Sequence, residues 1–264
     1  MSDKNPAASV RARLLNRSRR DGVDFQRMLV RYAIERLLYR LSVSRHVGDF
    51  VLKGATLFTI WMGSPHRSTK DLDLLGRGSP DVDRLVSVFR EIAAIEFPKD
   101  GLQFQVDEIT GGPIREDAVY SGVRILVPCM LAGARLKVQV DVGFGDAVVP
   151  EPQDTELASL LDLPAPTLRA YAPETAVAEK LEALVVLGLA TSRMKDLYDL
   201  DLLQQAFPFD GTLVEAVRAT FERRGHPGFV ADEPGDAVEV LRVLGGADVA
   251  SAPDEVGDQA WVAR

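Results

Sequence analysis

The 264-residue sequence predicts an α+β protein: a mixed sheet with helices in the middle of the chain and a helical domain after it. Three observations carry that expectation. A run with 3.6-residue hydrophobic periodicity, interleaved with arginine, occupies residues 9–45. Short segments of alternating polarity, punctuated by Gly and Pro, follow to about residue 150. Past a stretch containing Pro150, Pro152, Pro164 and Pro166, the pattern becomes helical again. The expected division is a basic helical arm (1–45), an α/β core (46–150) and a helical C-terminal domain (151–264).

In the first helical run, Phe25, Met28, Leu29, Tyr32, Leu37, Leu38 and Leu41 form the apolar stripe, with arginines expected on the other face. Asp24 is the expected N-cap of its main part. DFVLKG reads as a short buried strand ending at Gly54, and ATLFTIWMG as a helix stopped by Gly63. KDLDLLG alternates Asp71 and Asp73 with Leu72 and Leu74, which predicts a strand. PDVDRLVSVFREIAAI suits a helix with Pro80 near its first turn. LQFQVDEIT, VYSGVRILVPCML and ARLKVQVDVGFGD read as three more strands, with Gly111-Gly112-Pro113 as a turn or loop, giving four or five strands in all. PETAVAEKLEALVVLGLA, KDLYDLDLLQQAF and GTLVEAVRATFERRG read as helices, and AVEVLRVL as a weak helix in an acidic tail.

Composition narrows the class. With 46% hydrophobic and 27% charged residues the chain is globular rather than disordered. No apolar run reaches the roughly 18 residues of a membrane span, and the first 20 residues contain no secretory h-region, so a soluble cytoplasmic protein with no membrane partner is expected. The single Cys129 lies in an apolar stretch and suits a buried thiol; three scattered histidines argue against a His/Cys zinc site. The net charge of −8 hides an asymmetry: residues 1–45 hold eleven Lys/Arg against four Asp/Glu, a balance of +7, and the remainder carries −15. A basic arm on an acidic body is either an electrostatic footprint for RNA or a solvated helix face.

The chemistry centres on Asp71-Leu72-Asp73. Residues i and i+2 of a strand share a face, so two carboxylates about 7 Å apart along the backbone can converge on hard cations. Mg²⁺ takes one or two carboxylates and completes its shell with substrate phosphates. Upstream, Lys53-Gly54-Ala55-Thr56 forms a strand–Gly–helix junction whose backbone N–H groups can approach a triphosphate, or is a simple turn. On the last core strand Lys137, Gln139 and Asp141 share one face, where Asp141 offers a third carboxylate or a base for an attacking hydroxyl. In the helical half, Glu179-Lys180 and the run Arg193, Lys195, Asp196, Tyr198, Asp199 supply either a surface ion-pair ladder or cations that clamp phosphates.

The ordered set KGAT, STKDLDL, LKVQVD, ETAVAEKLEA, SRMKDLYDL resembles the AbiEii nucleotidyltransferase family, toxins of abortive-infection toxin–antitoxin pairs that include the mycobacterial MenT toxins. The resemblance spans about Val51 to Leu203 and implies a polymerase-β-like nucleotidyltransferase core with an appended helical domain. It implies Gly54, Ala55 and Thr56 at a phosphate-binding turn, Asp71 and Asp73 as metal ligands, and Lys137 and Asp141 in a second motif. Glu179 and Lys180 form the third motif and Arg193, Lys195, Asp196 and Asp199 the fourth, with Lys180 and Asp196 needed for activity. Ala55 departs from the Gly or Ser usual in the family and lacks a hydroxyl donor. Thr69, with Ser68 as its neighbour, corresponds to a hydroxyl residue that related toxins can carry phosphorylated; a phosphate there would set about −1.5 to −2 charges beside the metal ligands. The activity implied is transfer of NMP from an NTP, with Mg²⁺ or Mn²⁺ as cofactor, to the tRNA 3′ acceptor end, with a cognate antitoxin as partner. The alternatives are transfer to a protein or a small molecule such as an aminoglycoside, or a nucleotide-binding regulator without catalysis.

Overall fold

The computed structural model describes residues 5–63, 71–114, 122–187 and 194–226. Two compact units divide them, one comprising Met1–Asp146 with Glu151–Ala172, the other Ala147–Pro150 with Pro173–Arg264.

The first unit opens with two helices rather than one. Helix α1 (Pro6–Asp21) starts at a proline in its first turn, with the Asn5 side chain accepting from Ala8 N, and stops at Gly22 in the left-handed region. Helix α2 (Phe25–Ser42) is capped by Asp24, whose side chain accepts from Arg27 N at 2.9 Å. The expectation that arginines line the outer face of this stretch fails at Arg36 and Arg40, which are buried. Their charges are matched inside: Arg40 Nη1 donates to Asp100 at 2.6 Å, Arg36 Nε lies 3.5 Å from the same carboxylate, and Arg36 stacks over Tyr39.

The sheet comprises β1 (Phe50–Lys53), β2 (Asp71–Gly76), β3 (Leu102–Phe104), β4 (Thr110–Ile114), β5 (Gly122–Leu131), β6 (Ala134–Phe144), β7 (Gln153–Glu156) and β8 (Thr167–Ala170). Its order is β3-β5-β6-β2-β1-β8-β7, with β4 paired to β5. Strands β2 and β6 run parallel, as do β1 and β8, and the remaining pairs are antiparallel, so the sheet is mixed as the sequence predicts. Four strands differ from the sequence reading. Gly111-Gly112-Pro113 lies inside β4, not in a turn; a Cβ at residue 111 would come within 2.8 Å of both Ile125 and Val86, so glycine lets this strand slide beneath the helix over it. Of LQFQVDEIT, only Leu102–Phe104 forms β3, because a 3-10 turn takes over at Val106, and its last residue, Thr110, opens β4. The Pro-rich stretch beyond 150 contains β7 and β8, which extend the sheet past β1 and bring it to eight strands among the described residues.

Alternation along the strands separates two faces. Leu72, Leu74, Ile125, Val127, Val138, Val140 and Val142 are buried on one. Helix α2 and helix α4 (Val82–Ala93) pack there, α4 contributing Leu85, Val88, Phe89 and Ile92. Full burial of side chains of this size stabilises by about 1.5–3 kcal/mol each. Helix α4 is capped by Asp81, with Pro80 immediately before the cap and so near the first turn, as the sequence predicts. The short helix α3 (Thr56–Met62) follows β1 and ends at Gly63, as the sequence predicts.

The second unit packs α5 (Pro173–Leu187), α6 (Met194–Ala206) and α7 (Gly211–Arg223). Ala176, Val177, Leu181 and Leu184 of α5 are buried, as are Leu213, Val214, Val217 and Phe221 of α7. Arg224 Nη1 donates to the buried Glu182 at 2.6 Å, tying the end of α7 to α5. No helix among the described residues is long and apolar enough to cross a membrane. The tail beyond 226, including AVEVLRVL, lies outside the described residues.

Candidate active site

Asp71 and Asp73 stand on the face of β2 opposite Leu72 and Leu74, both partly exposed. Strand β6 sets Gln139 beside Asp71 and Asp141 beside Asp73, in parallel register. The three carboxylates therefore share one face on two adjacent strands. Strand β1 brings Lys53 opposite Asp73 on the same face. Lys53 Nζ donates to Asp146 at 2.7 Å and lies 5.3 Å from the Tyr171 ring centre.

Gly54 completes this corner. Its φ of +72° is in the left-handed region, and a Cβ there would fall on the Asp73 carboxylate. The chain then turns directly into α3 through Ala55, which gives the helix no side-chain cap. Thr56, the next residue, is buried, and its Oγ1 has no hydrogen-bond partner among the described residues. A buried hydroxyl without a partner costs free energy that a ligand oxygen can recover.

Asp141 is gripped from β5. Arg124 donates from Nε to Oδ1 at 2.8 Å and from Nη2 to Oδ2 at 2.7 Å, and Gln139 Nε2 reaches Oδ2 at 3.3 Å. Lys137 lies further along β6, exposed and opposite Pro128. No group of three Asp, Glu, His or Cys side chains among the described residues is arranged to hold a metal ion. The donor set fits a hard cation in part. Asp71 and Asp73 are carboxylates of the kind that Mg²⁺ takes, and both oxygens of Asp141 accept from the Arg124 guanidinium.

In the second unit Lys180 of α5 donates to Asp196 at 2.7 Å and to the fully buried Asp199 at 2.6 Å, both on α6. The surface ladder that the i,i+4 spacing of Lys195 and Asp199 suggested is not the arrangement found. Asp199 faces inward to Lys180, and Lys195 is exposed. Glu179 lies 3.7 Å from Arg224. Arg193, Ser68 and Thr69 lie outside the described residues. Sequence reasoning did not single out Arg124 or Asp146.

A mixed sheet of this order, with paired carboxylates at the start of β2 and a third on its neighbour, defines a nucleotidyltransferase-like protein. The chain belongs to the family described as nucleotidyl transferase AbiEii toxin, Type IV TA system, whose model matches residues 36–259. Among solved structures it is similar to JHP933 from Helicobacter pylori, at 16% identity over 84% of this chain and 93% of that one, with a TM-score of 0.51. A candidate nucleotidyltransferase from H. pylori is similar at 16% identity over 85% and 96%, with a TM-score of 0.50. At such identities the likeness is one of fold. No curated protein matches.

Proposed function

We propose that this chain is a toxin that transfers NMP from an NTP to the tRNA 3′ acceptor end and so blocks translation, neutralised by a cognate antitoxin. The observation that carries the chemistry is the register of Asp73 with Asp141 beside Asp71 on one sheet face. Asp71 and Asp73 would hold Mg²⁺ or Mn²⁺, which when bound supplies charge neutralisation on the phosphates and alignment of the attacking oxygen. Gly54, Ala55 and Thr56 would receive the nucleotide, with the unsatisfied Thr56 hydroxyl donating to it. Asp141 would take the proton of the acceptor hydroxyl as that oxygen bonds to the α-phosphorus and pyrophosphate leaves; this requires Arg124 to release at least one carboxylate oxygen.

The expectation that Lys180 clamps phosphates is revised on this reading. Its ammonium is committed to Asp196 and Asp199, and it holds α6 against α5. On the sheet, Lys137 of β6 would supply the phosphate contact, since it shares a face with Gln139 and Asp141. Incubation with labelled NTPs and total tRNA, followed by sequencing of tRNA 3′ ends, reports acceptor, nucleotide and number added. Labelling that survives Asp71→Ala would overturn the site.

A further inference from the structure

A second basic feature lies away from the carboxylates. Arg13, Asn16, Arg17 and Arg20 of α1 face Leu160, Leu161 and Asp162 across a groove of about 410 Å³. Helix α1 packs on α2, on the helix-covered side of the sheet, so this groove is separate from the face bearing Asp71, Asp73 and Asp141.

The far wall is built, not floppy. Glu35 of α2 is buried and accepts from Leu160 N and Ser159 Oγ, each at 2.7 Å. Arg36, also buried, donates to Pro164 O at 2.8 Å. On the near side Arg17 donates from Nη1 to Leu160 O and from Nε to Asp21. Charged groups out of water are costly unless they have partners, and here they serve to fix one loop. The groove is thus pre-organised.

Its charge is unbalanced. Arg17 and Arg20 share the single carboxylate of Asp21, and Asp162 is the other acid at the rim. Behind them Arg31 of α2 is held below the usual arginine range, first by burial and then by the charge of Arg17. Across residues 5–42 there are nine arginines, no lysine and three acids. With Arg36, Arg40 and Glu35 buried, the accessible balance is seven positive against two negative. A guanidinium has five donors in a planar fork, so Arg17 and Arg20 retain N–H groups for another acceptor. Such forks match phosphate oxygens bidentately. No aromatic ring lines the groove to stack on a base.

From this geometry we propose that the α1 groove binds the phosphodiester backbone of RNA, with Arg13, Arg17 and Arg20 as its phosphate contacts. The proposal rests on the reading of RNA as acceptor and gives that acceptor a docking surface remote from the reacting end. Contacts of this kind position a substrate without reading its sequence.

The test measures binding of a tRNA transcript to the full chain without NTP, over a range of salt. Arg13→Ala/Arg20→Ala, both at exposed helix positions where alanine is well tolerated, is compared with wild type and with Arg27→Ala, exposed on α2 outside the groove. The double variant should bind about tenfold more weakly near 0.1 M salt, and its log–log salt slope should be shallower by about two. Polyuridylate should show the same change, and Arg27→Ala should show neither. Unchanged affinity and slope in the double variant overturn the groove, whatever the outcome of tRNA labelling. A wild type that labels no tRNA while the double variant still loses RNA affinity defeats the proposed acceptor and leaves the groove standing. An equal loss of affinity for polyglutamate would assign the groove to acidic polypeptide and overturn the nucleic-acid assignment.

Discussion

Asp73 fills the space where a side chain at Gly54 would begin: a Cβ there would lie 2.0 Å from Asp73 Oδ2 and 2.6 Å from its Cβ and Cγ. The glycine at the strand–helix junction thus seats a carboxylate as well as a turn. Gly54→Ala is expected to force Asp73 aside and to strain a φ of +72°. The backbone term alone costs about 1–2 kcal/mol, which lowers Tm by roughly 2–8 °C in a chain of this size. Displacing a catalytic carboxylate by about 1 Å lowers the rate on the order of 10²-fold. Gly22→Ala is the control, since Gly22 has φ +66° but nothing within 4 Å of the place an added Cβ would occupy. It should lose similar stability and keep its nucleotidyl transfer, and equal activity loss in the two variants would refute the seating role.

Lys180 and Asp199 give a prediction about stability. Asp199 is fully buried, and Lys180→Ala leaves its carboxylate with a partner removed. Breaking one side of such a pair costs about 3–5 kcal/mol. Urea unfolding should register that loss for Lys180→Ala, and Lys180→Met/Asp199→Leu should recover most of it. If the double variant regains stability but not transfer, Lys180 does more than hold α6 to α5.

Much of this arrangement was legible in the residues. The alternation of Asp71 and Asp73 with two leucines placed both acids on one face, and three valines did the same for Asp141. Gly63 and Asp24 marked helix ends because their backbone chemistry is local. What stayed hidden depends on partners distant in sequence. Arg36 and Arg40 look like surface residues until Asp100 meets them inside. The strands β7 and β8 are four residues each, at one side of the sheet and among prolines, and only pairing reveals them. Arg124 opposite Asp141 did leave a trace. The two-residue turn at Ala132-Gly133, both at positive φ, closes Leu131 onto Ala134, and counting back along that hairpin pairs 124 with 141.

Cys129 gives a pH prediction. Burial pushes its thiol up to about 12 from an ordinary 9.0. A group whose native pKa is raised above its unfolded value favours the protonated form in the fold. Cys129 therefore leaves stability unchanged below pH 9 and subtracts from it as pH rises from there towards 12. Native protein at pH 8 should resist iodoacetamide, and the same thiol should label in denaturant. Cys129→Ser should remove the alkaline sensitivity attributable to this group.

Arg124 and Asp141 make the last prediction, about cation affinity. Both carboxylate oxygens accept from one guanidinium, so Arg124 competes with any metal for the third acid of the face. Arg124 is 44% exposed, and exposed pairs contribute at most about 1 kcal/mol, so Arg124→Ala should barely alter Tm. Its effect should fall on metal binding. With the competing charge gone, the Mg²⁺ concentration for half-maximal transfer should drop, and Mn²⁺ binding followed by electron paramagnetic resonance should tighten. Arg124→Lys should lie between, because an ammonium keeps the charge but cannot engage both oxygens in parallel. A weaker requirement for Mg²⁺ is the expected sign because the guanidinium and the cation want the same oxygens; a stronger one would mean that Arg124 orients Asp141 for its ligand instead of occupying it.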